Sequence, residues 1–542
     1  MEKKIKLLDC TLRDGAYING SQFGEAVIKG IIKKMQESRV DIIECGWLKD
    51  APHEKGSSYY HLPTDVEPYM LEKNDRMTYV TMIDWDRYDT DLLPPYAGGT
   101  LNAVRVVFPR GKAKEGMAVG AKIREKGYLV FLQAANTISY TQKDLDELIE
   151  IANDFKPVAI SVVDTFGAMF EADVIRIATY LNKKLDKSIG LGFHSHNNQQ
   201  LSFALTMKFV ELLKSSDREV IVDASLSGMG RGAGNATTEL VASYLNRKHH
   251  GDYDMDAILD AIDMYIDPIR ENFTWGYSTP YFIAGMYQCH VNNIAYLHKN
   301  HRTNARDMRN IFASLGEEER RHYDYDLLEE KYIENQNRLV DDEAPKRSLK
   351  EAVAGHDRKV LLIAPGKTSI DEERKIKDFI MREYPLVIGV NAVLTPYADV
   401  YDYLFFTNHI RYDYAGEAYH DIFQKTEKLI LSSVHSKAKT GELVFNFNSA
   451  IKRGWEHFDN AVICALRLLD HGNVKEIFLA GFDGFKHAYN ESYADASLPT
   501  LNPNGKWEEL NHEIKDMFRD VILAMGDKIK ITFLTDSIFS KA

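Results

Sequence analysis

Short apolar runs alternate with longer amphipathic stretches through the first half of the chain. The runs are rich in aliphatic and aromatic residues and predict eight strands. They lie at residues 5–10, 40–46, 77–83, 102–108, 128–134, 157–164, 189–196 and 219–226. Stretches between them, such as "GEAVIKGIIKKMQES" and "QKDLDELIEIANDF", repeat apolar residues every three to four positions, as amphipathic helices do.

Eight strand-and-helix units ending near residue 270 are about the length of a (β/α)8 barrel. We therefore predict an α/β protein that begins with a TIM-barrel domain over residues 1–271. An open doubly wound sheet is the alternative, because a local pattern does not show whether a sheet closes.

The second half of the chain changes pattern twice. Residues 272–345 are charged and helical in pattern and predict a helical appendage, and "VDDEAPKRSLKEAVAGHDRK" (340–359) has few large apolar residues and predicts a linker. Beyond it, six apolar runs with helical stretches between several of them predict an open Rossmann-like domain over residues 346–542. These runs lie at residues 359–366, 385–391, 401–408, 428–434, 475–483 and 530–536.

Composition narrows the function classes. The net charge of −13 argues against general binding to nucleic acid or to anionic membranes. No apolar run approaches the ~20 residues of a membrane helix, and the start resembles no signal peptide, so we expect no membrane insertion. The four cysteines form no CxxC pair, which fits a reducing compartment. We expect a cytoplasmic enzyme.

Candidate metal ligands lie at the ends of predicted barrel strands. "GFHSHNN" places His194 and His196 two residues apart, so both rings leave the same face of strand seven. Asp14 follows strand one, and in a closed barrel only strand eight separates strands one and seven. Strand eight leads into the glycine-rich "DASLSGMGRGAGN". Two imidazoles and a carboxylate suit a divalent ion such as Mn²⁺, Fe²⁺, Co²⁺ or Zn²⁺.

Three motifs together carry a resemblance. "LLDCTLRDG", "GFHSHNN" and "GMGRGAGNATTE" resemble the superfamily of 4-hydroxy-2-oxovalerate aldolase, 3-hydroxy-3-methylglutaryl-CoA lyase and isopropylmalate synthase. The aldolase branch is the best match, over about residues 1–300. The resemblance implies that Asp14, His194 and His196 bind a divalent metal, with Mn²⁺ or Mg²⁺ favoured over Zn²⁺ or Co²⁺. It also implies that Arg13 stabilises an enolate and that Asn235 lies near the metal.

The implied reaction joins or separates a pyruvate-like 2-oxo acid and an aldehyde through the enolate of the 2-oxo acid. The metal would act as a Lewis acid, and Arg13 would donate to the developing oxyanion.

The chain departs from the aldolases at Tyr17, where they carry a catalytic histidine. A phenol with a pKa of about 10 is a poor base near neutral pH. Tyr17 then donates a hydrogen bond, or a metal-bound water moves the proton, or the helical appendage supplies a base. "WGYSTPYF" resembles the aldolase segment that carries a substrate-facing tyrosine, which makes Tyr277 a second catalytic candidate. Polar residues near other strand ends are candidates for lining the substrate site: Glu44, Gln133 and Asp164.

Other activities stay open. A synthase of the isopropylmalate synthase type, which uses acetyl-CoA, is disfavoured because Ala16 and Tyr17 replace the acid and amide typical of that branch. A glycosyltransferase centred on the second domain, with the barrel as scaffold, is an alternative from another class. A non-catalytic binding module is disfavoured because the three ligands and Arg13 occur together.

The second domain carries a weaker resemblance. "LLIAPGKTS" lacks the first glycine of a P-loop. Residues 358–490 resemble the Rossmann-like fold of bacterial CMP-sialic-acid transferases. That resemblance implies contacts with a cytidine or other nucleotide from four residues: Gly366, Thr368, Asn391 and Asn408. It also implies a role in surface-polysaccharide synthesis, and the barrel resemblance implies a homo-oligomer.

Overall fold

The structure is a computed structural model that describes residues 4–301, 303–337, 340–434, 441–486, 489–499 and 507–540. These residues form two compact units. The first comprises the chain up to Val291 together with Glu317–His322, and the second comprises Asn292–Gly316 with the chain from Tyr323 onward.

The strands of the first unit are parallel and close into a barrel. They are β1 (Ile5–Asp9), β2 (Ile42–Leu48), β3 (Tyr59–Tyr60), β4 (Thr78–Asp84), β5 (Ala103–Phe108), β6 (Leu129–Ala134), β7 (Ala159–Asp164), β8 (Gly190–Ser195) and β9 (Val220–Ala224). Eight of them follow the order β1-β9-β8-β7-β6-β5-β4-β2, and β1 pairs with β2 to complete the circle. The TIM barrel is confirmed, and the closing pair excludes the open sheet. The short β3 adds to β2.

α-Helices follow most of the barrel strands and cover their outer faces, whereas β2 and β4 are followed by the 3-10 helices Pro63–Tyr69 and Thr90–Leu92. The α-helices up to Met286 are α1 (Thr11–Asp14), α2 (Ala16–Asn19), α3 (Glu25–Glu37), α4 (Ala113–Glu125), α5 (Gln142–Phe155), α6 (Glu171–Lys184), α7 (Ser202–Leu213), α8 (Thr238–Lys248), α9 (Met255–Ala261), α10 (Asp267–Arg270) and α11 (Thr279–Met286). Between strands and helices lies a large apolar core, and a smaller apolar cluster that includes Leu8, Val80 and Phe131 is contributed by alternate strand positions. Burial on both faces explains why the strands are almost continuously apolar.

Helices α12 (Val291–His301), α13 (Ala305–Ser314), α14 (Glu317–Arg321) and α15 (Tyr325–Gln336) occupy much of the predicted appendage. The two units share this segment, since α14 belongs to the first unit and α13 and α15 belong to the second. The predicted linker at 340–359 is wrong: it forms α16 (Glu343–Gly355). Leu349 and Val353 are its buried residues, so one apolar pair with i,i+4 spacing anchors an otherwise polar helix.

The second unit contains an open sheet whose strands are all parallel. They are β10 (Lys359–Ile363), β11 (Leu386–Val390), β12 (Tyr403–Phe406), β13 (Glu427–Leu431), β14 (Glu442–Phe445), β15 (Glu476–Ala480) and β16 (Lys530–Phe533). Their order is β14-β13-β12-β11-β10-β15-β16. All six predicted strands are present. The additional strand, β14, has only four residues at the sheet edge, and three of them are only partly buried. Its apolar pattern is therefore too short to predict a strand.

Helices connect these strands: α17 (Thr368–Asp371), α18 (Glu373–Glu383), α19 (His409–Ala418), α20 (His420–Lys425), α21 (Phe447–Ala450), α22 (Ala461–Asp470) and α23 (Trp507–Met525). The strand order reverses direction between β10 and β15. In open parallel sheets, such a switch point opens a crevice at the carboxyl ends of the strands.

The cysteines Cys10, Cys45, Cys289 and Cys464 are all free and buried. Among the helices that the structure describes, none combines the length and the apolar character needed to cross a bilayer.

Candidate active site

Asp14, His194 and His196 come together at the carboxyl-terminal face of the barrel. One ligand atom from each lies within 4.8 Å of the others, and all three residues are buried. Asp14 ends the short helix α1 that directly follows β1, His194 lies in β8, and His196 immediately follows β8. The parallel register of β8, β9 and β1 brings these chain segments to the same end of the barrel.

The two imidazoles have the environment of metal ligands. Their rings are nearly perpendicular, with centroids 5.0 Å apart. Nδ1 of His194 lies 3.1 Å from Oδ2 of Asp223, but both ring nitrogens are buried and neither makes a hydrogen bond of good geometry with the described residues. Nδ1 of His196 lies 3.2 Å from the backbone oxygen of Arg231. An acceptor beside one ring nitrogen orients the other toward a metal in many proteins.

Charge also fits a cation at this position. Burial lowers the pKa of His196 to about 4, so the ring is neutral at physiological pH and can coordinate. Burial alone would raise the pKa of Asp14, but the neighbouring Arg13, His196 and His194 outweigh it and hold that pKa well below its ordinary value. A carboxylate, the neutral imidazole of His196 and a second imidazole with an orphaned nitrogen therefore fit a divalent metal.

The glycine-rich loop after β9 closes against this carboxylate. Asn235 donates its amide to Oδ2 of Asp14 over 2.6 Å, and its own Oδ1 is buried with no hydrogen-bond partner in the described structure. At Gly230 a β-carbon would lie 2.4 Å from Nδ2 of Asn235 and 2.6 Å from Oδ2 of Asp14. Only glycine lets the loop come this close without displacing one of the two side chains.

Buried charges connect Asp14 to His194 by way of the barrel interior. Arg13 donates to Oδ1 of Asp14 over 2.6 Å and to Oε2 of Glu44 over 2.7 Å. Arg105 donates to Oε1 of Glu44 over 3.0 Å and to the Asp223 oxygen that faces His194. These four linking residues, Arg13, Glu44, Arg105 and Asp223, are at most 4% exposed.

Arg105 and Asp223 were not among the site residues predicted from the sequence. The available signal was a charged residue inside an apolar strand, in "NAVRVVF" and "EVIVDASL", because burying a charge is costly unless it is paired. Glu44 was expected to line the substrate site. The structure places it between the guanidinium groups of Arg13 and Arg105 with 1% exposure, and a role in lining the substrate site stays a prediction.

Tyr17 lies at the outer edge of this site. Its ring packs edge-on against Trp47, with centroids 6.2 Å apart. The side chain is 43% exposed, yet desolvation of the hydroxyl raises the pKa of Tyr17 to about 12. The hydroxyl is therefore protonated near neutral pH and can donate a hydrogen bond.

The other predicted site residues have separate environments. Gln133 donates to the Ser161 hydroxyl over 3.0 Å. Asp164 accepts backbone N–H groups of Ala168 and Met169 and so holds the loop after β7, and burial raises its pKa to about 7. Tyr277 is 61% exposed, and its role stays a prediction.

In the second unit, predicted nucleotide contacts fall in one cleft. Gly366, Asn391 and Asn408 line it, together with His457 and Asp483. Gly366 follows β10, Asn391 follows β11 and Asn408 lies shortly after β12, so the cleft opens at the carboxyl ends of these strands. Thr368 is not among the lining residues: its amide and hydroxyl both donate to Asp483.

The first unit is similar to known proteins. A model of the HMGL-like family matches residues 113–264. A 4-hydroxy-2-oxovalerate aldolase of Thermomicrobium roseum is 27% identical over 312 residues, which cover 53% of this chain and 82% of the relative. An oxaloacetate decarboxylase of Mycobacterium tuberculosis is 28% identical over 262 residues, covering 47% of this chain and 74% of the relative.

Among solved structures, the HMG-CoA lyase from Brucella melitensis aligns with a TM-score of 0.39 and 15% identity. The alignment covers 50% of this chain and the whole of the lyase chain.

Proposed function

We propose that the first unit is a metal-dependent carbon–carbon lyase that forms and consumes the enolate of a pyruvate-like 2-oxo acid. The match to the HMGL-like family model and the similarity to aldolases support this proposal. The partner in the carbon–carbon bond is an aldehyde. The observation that carries this proposal is the convergence of Asp14, His194 and His196 next to the buried guanidinium of Arg13.

The ligand set defines where the 2-oxo acid binds. A divalent cation held by Asp14, His194 and His196 would supply Lewis acidity to a carbonyl oxygen. Mn²⁺ or Mg²⁺ is the proposed ion. The relatives named above act, by their names, on 4-hydroxy-2-oxovalerate and oxaloacetate. Both compounds are 2-oxo acids that yield a pyruvate unit when the bond beyond C3 breaks.

Arg13 is the residue that we assign to stabilising the enolate. Its Nε is held by Glu44 and its Nη1 by Asp14, so the guanidinium is oriented before substrate binds. A preorganised donor aimed at a developing oxyanion contributes about 10²–10³ in rate. Tyr17 keeps its proton, so we assign it hydrogen-bond donation at the mouth of the site.

The direct test is loss of the C3 protons of pyruvate in D2O, followed by proton NMR with Mn²⁺ present. The exchange reports enolate formation and needs no aldehyde. We expect exchange well above the buffer rate, at least 100-fold less in H194A and H196A, and loss of bound manganese by metal analysis. H420A removes a histidine from α20 of the second unit and serves as the matched control. Absence of both exchange and bound metal in the unaltered protein contradicts the proposal.

A nucleotide site in the second unit is a second proposal. Three of the four residues predicted from the sequence, Gly366, Asn391 and Asn408, line one cleft at the switch point of a parallel sheet. Titration calorimetry with CTP, CMP and UDP tests it, and no heat from any of them contradicts it. Surface-polysaccharide synthesis, homo-oligomerisation and a cytoplasmic location stay predictions.

A further inference from the structure

Arg231 lies beside the metal-ligand set, in the glycine-rich loop between Gly230 and Gly232. Its backbone oxygen is 3.2 Å from Nδ1 of His196, so the Arg231 backbone contacts a predicted metal ligand. The guanidinium carbon lies 4.9 Å from the centre of the Tyr17 ring. The enolate chemistry proposed above leaves this side chain without a role.

A row of contacts leads from Asp14 outward to this guanidinium. Arg13, which donates to Asp14, lies 5.9 Å from the centre of the Trp47 ring. Trp47 packs against Tyr17, and the guanidinium group of Arg231 lies over the Tyr17 ring. Exposure rises along the row, from 4% at Arg13 and 6% at Trp47 to 43% at Tyr17. Arg231 therefore stands at the mouth of the site, where the second substrate must enter.

Neighbouring side chains hold Arg231 in position. Its Nη2 lies 2.7 Å from Nε2 of His290. Burial, and then the charge of Arg231, lower the pKa of His290 to about 3, so this imidazole is neutral. An aromatic face and a neutral imidazole thus orient the guanidinium.

A second cation lies at the same face of the barrel. Lys49 follows β2 directly, and its ammonium nitrogen lies 3.4 Å from the centre of the Tyr59 ring. Burial and the charge of Asp14 raise the pKa of Tyr59, whereas the charge of Arg231 lowers it. Asp84, at the end of β4, faces these cations: Arg87 lies 4.0 Å away, and the charges of Arg87, Lys49 and Arg231 all oppose the rise in its pKa that burial causes.

We propose that Arg231, supported by Lys49, forms an anion-binding subsite at the barrel mouth that selects an aldehyde carrying a carboxylate or phosphate group. The inference rests on the proposed aldolase function and names the class of its second substrate. The guanidinium fork matches carboxylate and phosphate oxygens. The aldehyde carbon then lies toward Asp14 and the charged end lies at the outer rim.

The experiment compares two pairs of aldehydes in carbon–carbon bond formation with pyruvate. Succinic semialdehyde is paired with butanal, and glyceraldehyde 3-phosphate is paired with glyceraldehyde. For the preferred pair we expect kcat/KM to be at least tenfold higher with the anionic member. The pair that shows this preference identifies the anion as carboxylate or phosphate.

Substitution of Arg231 tests the assignment. The ratio of anionic to neutral kcat/KM should fall roughly ten- to hundredfold in R231A, because a charge-assisted hydrogen bond is lost. R231K keeps the charge but not the fork and should recover part of the ratio, and K49A should lower it by less than R231A does. R176A removes an exposed arginine from α6 and should leave the ratio unchanged.

Three results overturn the inference in distinguishable ways. If the unaltered protein exchanges the pyruvate C3 protons but uses anionic and neutral aldehydes equally well, the subsite is wrong and the aldolase proposal stands. If R231A raises the KM for pyruvate in the exchange assay and leaves the aldehyde ratio unchanged, Arg231 binds the 2-oxo acid instead. If exchange is absent in the unaltered protein, the aldolase proposal fails and the subsite fails with it.

Discussion

The side-chain amide of Asn235 donates to Oδ2 of Asp14 over 2.6 Å. The two residues are more than two hundred positions apart in the chain, and the loop after β9 brings the amide to the first loop of the barrel. This bond orients one of the three predicted metal ligands.

Removal of the Asn235 amide should weaken metal binding. In N235A the carboxylate of Asp14 loses a donor that fixes its orientation, and partners of this kind typically contribute 10- to 100-fold in metal affinity. Titration with Mn²⁺, read by the electron paramagnetic resonance signal of the free ion, measures the change. N182A, which alters an asparagine near Arg218 on the outer side of the barrel, is the control. Equal affinity in N235A and the unaltered protein would show that the amide does not support the ligand.

The glycine at position 230 should be as sensitive as a ligand. In G230A the new methyl group would lie 2.4 Å from Asn235 and 2.6 Å from Asp14, so one of the two must move. We expect manganese affinity to fall at least tenfold while the far-ultraviolet circular dichroism spectrum is retained. G355A adds the same methyl group where no atom lies within 4 Å. Normal metal binding by G230A would mean that the loop yields without disturbing Asp14.

Glu44 should be a large determinant of stability. E44Q leaves the buried guanidinium groups of Arg13 and Arg105 without their shared counter-charge, and breaking a buried ion pair costs about 3–5 kcal/mol. Urea denaturation gives the change in the free energy of unfolding. E37Q, on α3, breaks exposed pairs with Lys33 and Lys34 and should cost less than about 1 kcal/mol. A similar small cost for E44Q would show that the interior charges relax.

Asp9 should make stability depend on pH. Burial, only partly offset by hydrogen bonds from Thr238 and Thr11, raises the pKa of Asp9 to about 6. The folded state then holds a proton that the unfolded state releases near pH 4, so this residue destabilises the fold as pH rises from about 4 to 6. The full effect is about 3 kcal/mol.

The isosteric D9N variant removes this titration. Relative to the unaltered protein, D9N should therefore become more stable as pH rises from 4 to 7, as measured by denaturation at several pH values. The surface variant D75N, at a position with an 89% exposed side chain, should show no such trend. A constant difference between D9N and the unaltered protein across this range would contradict the raised pKa.

The sequence by itself determined the barrel and the three candidate ligands. Strands such as β7 are buried on both faces, so they appear as continuous apolar runs that need no knowledge of their partners. His194 and His196 share a face because their spacing matches the two-residue period of a strand. Asp14 could be predicted as the third ligand because the βα loops of a barrel gather at one face.

Elements with little apolar content were the ones that the pattern missed. Helix α16 buries mainly Leu349 and Val353, and β14 has four residues at a sheet edge. Neither produces a periodic signal, since each is held by the partner that it packs against rather than by its own composition.

Only the tertiary structure decided how the site is supported. Arg105 on β5 and Asp223 on β9 are 118 residues apart, and each alone looks like a charge misplaced in an apolar strand. The sequence likewise shows Arg231 only as a residue of a glycine-rich loop. Its contacts with Tyr17 and His290, which orient the guanidinium, appear only in the structure. Periodicity reports which face of an element is buried, whereas the pairing of buried charges depends on distances between elements, which closure of the barrel alone establishes.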